Sequence, residues 1–89
     1  MVYDIHVRLS GLNNSESKEI DFVFESETEQ INLSKIEDEI SKSLKSGSIV
    51  RIAKIKNDAI SINDVLVEFN NDDYFIYKID NFKVEYLRD

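Results

Sequence analysis

The stretch ESKEIDFVFESETEQINLSKIEDE, residues 16–39, changes period halfway along and so decides the fold class. In its first part Ile20, Phe22 and Phe24 fall on one side and Glu19, Asp21, Val23 and Glu25 on the other. A period of two marks a half-buried strand. From Leu33 onward the apolar spacing becomes three, four and four, through Ile36, Ile40 and Leu44. That is one stripe of a helix. Ser34 and Glu37 have the S-x-x-E spacing of a capping box. Glu37, Asp38 and Glu39 occupy the early turns and Lys42 and Lys45 the last, as the helix dipole favours. Gly47 offers a stop. The spacing predicts a helix over 34–46.

Upstream, Tyr3, Ile5, Val7 and Leu9 alternate with Asp4, His6, Arg8 and Ser10. This is a second half-buried strand, joined to 19–25 by a small polar link, and the pair reads as a hairpin. Downstream, SIVRIAKIK (48–56) is apolar on both faces, which predicts a central strand. AISINDVLVEF (59–69) slips phase at Asn63-Asp64, which predicts a bulge or short turn there. NNDD (70–73) reads as a turn. YFIYKI and FKVEYL read as two strands joined by a two-residue turn at Asp80-Asn81. The expected fold is α+β in the order β-β-α-β-β-β-β, with one amphipathic helix packed on a curled antiparallel sheet.

Residues 1–89 make a single domain, and a chain of 89 residues buries only about 60–65% of its unfolded surface. A deep internal cavity is therefore not expected. Cysteine is absent, which excludes disulfides, thiolate zinc sites and thiol chemistry. No apolar run is long enough to span a bilayer, and the first ten residues lack the basic-then-apolar pattern of a signal peptide. A cytoplasmic protein without membrane contact is expected. The abundance of Ile, Asn, Lys, Asp and Glu matches AT-rich codons, as in a low-GC bacterium or a mobile element.

Catalytic motifs are missing. With two glycines there is no phosphate-cradling loop, and no nucleophile elbow or zinc-protease motif occurs. His6, the one histidine, lies on the polar side of its strand, with no carboxylate placed beside it by local spacing. Asp72 and Asp73 sit in a turn, and NNDDYFIYKIDN lacks the central Gly of a calcium loop. No enzyme activity, cofactor or metal is expected. Lys42, Lys45, Arg51, Lys54 and Lys56 form a run without acids, but the acidic remainder opposes a phosphate backbone, so no direct nucleic-acid binding is expected. Of the tyrosines, Tyr74 and Tyr77 fall on opposite strand faces, so one should be exposed.

The opening stretch also carries the charge. Residues 16–39 hold nine acids and two bases, Lys18 and Lys35, which equals the formal net charge of −7 of the whole chain. Glu19, Asp21 and Glu25 on the strand, Glu27 and Glu29 in the link, and Glu37, Asp38 and Glu39 on the helix are expected to form one band. Such a band answers a basic protein surface. In size and charge the chain is similar to small acidic proteins of mobile elements, including anti-CRISPR proteins and other phage inhibitors, and to immunity proteins. The likeness has no residue motif behind it. The expectation is a non-enzymatic protein that binds and inhibits a basic, nucleic-acid-handling protein. Two alternatives stay open. One is a small-molecule or nucleotide binder with Arg51, Lys54 and Tyr77 at a subunit interface; the other is an immunity or assembly subunit. Oligomeric state is left open by the sequence.

Overall fold

The computed structural model describes residues 1–27, 32–44, 48–53 and 60–89. Five strands and one helix follow in the order β1 (Val2–Gly11), β2 (Ser17–Glu25), α1 (Leu33–Leu44), β3 (Ile49–Ala53), β4 (Val65–Asn70) and β5 (Asp73–Arg88). The strands form one antiparallel sheet ordered β2-β1-β5-β4-β3. The α+β class holds, with one strand fewer than expected. The sheet is open rather than curled: β2 and β3 are its two edges and do not pair with each other.

The hairpin forms where the alternation placed it. Ile5 faces Phe22 and Val7 faces Ile20, so the apolar sides of β1 and β2 coincide and pack into the core. The link is tied by the Gly11 amide donating to the Glu16 carbonyl at 2.8 Å. The Asn14 side chain also accepts the Glu16 amide at 2.9 Å. Only glycine fits at position 11, because a Cβ there would lie 2.5 Å from the Asn14 carbonyl oxygen. Asn13 extends the sheet past Gly11: its side-chain oxygen accepts from the Ile76 amide at 2.8 Å, and its side-chain nitrogen donates to the Tyr74 carbonyl at 3.2 Å.

The turn expected at Asp80-Asn81 does not exist. β5 runs straight through these residues and pairs with β1 on one side and β4 on the other. Arg8 pairs with Asn81 and Leu9 with Ile79, so Asp80 is the extra residue of a bulge. Its carboxylate accepts from the Ser10 hydroxyl and meets the Lys78 ammonium at 3.3 Å. Asp-Asn is turn chemistry locally, but a strand as long as β1 supplies partners for both flanking segments. The polar pair is accommodated by one unpaired residue instead of a reversal.

Two more expectations change on the β3 side. Residues 49–53 form an edge strand, with Val50 and Ile52 buried and Ile49, Arg51 and Ala53 exposed; residues 54–56 of the expected central strand lie outside the described ones. β4 starts only at Val65. The phase slip is a turn at Ile62-Asn63, where Asn63 adopts a left-handed φ of 77°. The Asn63 amide donates to the Ile79 carbonyl, and Asp64 accepts from the Ile79 amide, so the ladder with β5 continues across it.

The stripe of α1 packs as read: Ile36 and Ile40 are buried, and Leu33 and Leu44 pack half-buried against the same core as Ile5, Val7, Ile20, Phe22 and Phe24. The capping box does not form. Asn32 is the cap, accepting through its side-chain oxygen from the Ser34 amide at 2.9 Å and the Ser34 hydroxyl at 2.8 Å. Lys45 and Gly47, the expected last-turn base and stop, lie outside the described residues.

Candidate functional site

The predicted acidic band is split by the fold. Glu19, Asp21 and Glu25 do share the exposed face of β2. Glu27 is exposed beyond it, and Asp38 is exposed on α1. Glu29 lies outside the described residues. Glu37 is not on the surface at all: it is 8% exposed, and its carboxylate accepts the Ile52 amide of β3 at 2.7 Å. Its neighbours Asp38 and Glu39 remain at the surface, so the expected trio of helix acids is broken at Glu37.

Several acids are already answered by cations. Arg8 on β1 donates through Nη2 and Nε to Glu19 at 2.7 and 3.1 Å. Lys42 meets Glu39 at 3.2 Å and Lys18 meets Glu16 at 3.5 Å. Glu25, Glu27 and Asp38 have no ion pair among the described residues. Glu25 and Glu27 lie at the end of β2, whose outer rim no other strand among the described residues pairs, and Asp38 faces them from α1. Between that rim and α1 runs a groove of about 290 Å³, lined by Val23, Glu25, Lys35, Asp38, Glu39 and Lys42. The expected band is thus a shorter acidic edge.

His6 was read as having no carboxylate beside it, and the fold corrects this. In the hairpin register His6 stands opposite Asp21. Its Nε2 lies 3.0 Å from Asp4 and its Nδ1 3.7 Å from Asp21. The Asp4 and Asp21 carboxyls shift each other in opposite directions, chiefly through their side-chain hydrogen-bonding interaction. Asp4 is held below the ordinary carboxylate value and Asp21 above it. The three side chains place potential ligand atoms within 4.8 Å of one another, a donor set that can take a divalent cation. Part of the signal was local, since Asp4 stands two residues before His6 on the same side of β1; the rest was register, since pairing 3–9 with 19–25 makes Asp21 a neighbour of His6. Asp72 and Asp73 remain in an exposed turn.

The Arg51, Lys54 and Tyr77 pocket is not built. Arg51 is exposed on the outer face, Tyr77 is buried on the inner one, and Lys54 lies outside the described residues. Tyr74, by contrast, is exposed as the alternation required. Glu68, which alternation alone does not distinguish from a surface acid, is 5% exposed on the inner face of β4. No helix among the described residues is long and apolar enough to cross a membrane. Comparison with protein-family models, curated proteins and solved structures returns no match.

Proposed function

We propose that this protein is a small acidic, non-enzymatic interaction protein that docks a basic segment of a nucleic-acid-handling protein against β2 and inhibits it. The observation that carries the reading is the position of β2: a nine-residue sheet edge, unpaired among the described residues, with Glu25 and Glu27 at its end and Asp38 across the groove on α1, none of the three in an ion pair there. An open edge offers backbone donors and acceptors to an added strand. Acids along it repel a second copy of the same edge, which guards against self-pairing, and attract an extended basic chain. A cleft built for phosphates has that basic character.

The test begins with capture of a partner on the immobilised protein at low salt. The variant Glu25→Gln/Glu27→Gln/Asp38→Asn keeps side-chain shape and removes three charges. Its association rate should fall about tenfold and lose much of its salt dependence. Glu85→Gln, exposed on β5, is the control; Glu68 cannot serve because it is buried. Unchanged rates and salt dependence in the triple variant would remove the acidic edge from the binding surface.

A further inference from the structure

Glu68 sits on the inner face of β4, between Val50 of β3 and Phe75 of β5. A carboxylate has room for about four hydrogen bonds. Its one hydrogen bond among the described residues is from the Tyr77 hydroxyl at 3.5 Å, the outer limit of such a bond. Burying an acid with so little compensation is costly, and natural folds normally pair such a group with a cation. Beside it opens a cavity of about 160 Å³, bounded by Glu16, Lys18, Leu44, Phe75 and Tyr77 together with Glu68. That is room for roughly five waters at about 30 Å³ each. Lys18, the one base in this lining, is turned to Glu16.

We propose that this cavity is a binding site for a primary ammonium group, carried by a small amine or by a lysine side chain, with Glu68 as its anchor. Two acids against one base select a cation. The Phe75 and Tyr77 rings in the lining favour a cation with a short apolar stem over a hydrated metal ion. A compact ammonium suits a cavity of about 160 Å³ better than the wider planar guanidinium. Burial, and next the Glu68 charge, push the Tyr77 phenol above its usual range, so it remains a hydrogen-bond donor that orients the carboxylate. This site lies on the inner face and is independent of the acidic edge.

The experiment is a heteronuclear NMR titration of the intact protein with n-butylammonium chloride, with sodium butyrate as the anionic control. Saturable shifts should appear at Leu44, Glu68, Phe75 and Tyr77, with none from butyrate. Glu68→Gln should weaken binding about tenfold or more, while Glu85→Gln should not. Lys18→Met, which removes the competing cation, should tighten it and covers the case in which the Glu68 variant does not fold. A parallel titration with acetyl-Gly-Lys-Gly-amide separates the sources: equal binding admits a lysine side chain, and binding of butylammonium alone restricts the site to free amines. No saturable shift with either probe, equal shifts from butyrate, or unaltered affinity in Glu68→Gln would overturn the proposal. Weaker binding in Lys18→Met would do the same.

Discussion

The side chain of Glu37 in α1 accepts the backbone N–H of Ile52 in β3 at 2.7 Å, out of contact with water. β3 is an edge of the sheet among the described residues, so no described strand lies beside this amide on that side. The helix supplies the acceptor that a neighbouring strand would. Glu37→Gln keeps an oxygen there and should be nearly neutral. Glu37→Ala leaves a buried donor unsatisfied and should cost about 1–3 kcal/mol. Urea denaturation measures the cost, and amide exchange at Ile52 should quicken in the Ala variant alone. Identical behaviour of the two variants would show that the contact contributes nothing.

Ile40 is fully buried, whereas Leu44 lies half-buried at the end of the same stripe. Ile40→Ala should destabilise by about 2–5 kcal/mol, with Leu44→Ala falling below it. The reverse ranking by chemical denaturation would contradict the observed helix seating.

Asn63 holds a left-handed φ of 77° at the start of the β4–β5 ladder. A side chain without local hydrogen bonding pays about 1–2 kcal/mol to sit there. Asn63→Ala should lower the melting temperature, and Asn63→Gly should match or exceed the native protein. Equal melting of both variants would argue against this backbone conformation.

The Ser10 hydroxyl, hydrogen-bonded to Asp80, is the main cause holding the Asp80 carboxyl below its ordinary value of 3.8. For a depressed carboxyl, the stabilisation is complete above the unfolded value and is lost as pH falls through the lower folded one. Ser10→Ala should therefore melt below the native protein at neutral pH, and the gap should close as the solution is acidified below 3.8. A gap constant down to strong acid would show that the hydroxyl acts by packing alone.

Asp21 responds in the opposite sense. Its carboxyl is raised, first by the hydrogen bond with Asp4, so its contribution is present below the unfolded value and lost as pH rises through the folded one. Carboxyl-detected NMR titration should place Asp4 below 3.8 and Asp21 above it. In Asp4→Asn the Asp21 carboxyl, relieved of a neighbouring negative charge, should move back toward 3.8. Two superimposed titration curves in the native protein would contradict the pairing.

What was legible in the sequence was local. Ile5, Val7, Ile20 and Phe24 alternate, and Ile36 and Ile40 recur at helical spacing, so each segment declared its buried face without help from the rest of the chain. What was not legible depended on partners far along the chain. Asp80 reads as a turn until β1 lies beside it and Ser10 meets its carboxylate. Glu37 reads as a surface acid until β3 brings the Ile52 amide to it. The candidate site failed in the same way. Its exposed acids Glu19, Asp21 and Glu25 followed from alternation, but the approach of Arg8 to Glu19 and of His6 to Asp21 required the hairpin register.

β5 comes after the other described strands along the chain and joins them into one sheet. The β1–β2 hairpin and the β3–β4 pair touch within the sheet only through it. On a ribosome the residues before β5, about four fifths of the 89, can therefore collect as two sheet fragments joined only by packing on α1, each with an apolar side still partly in water. Closure waits until residues 73–88 leave the exit tunnel and slide between them. Such late, long-range pairing favours slow folding and exposure to chaperones during synthesis. A stalled nascent chain ending near Asn70 should remain open to protease, whereas one carrying β5 clear of the tunnel should resist it.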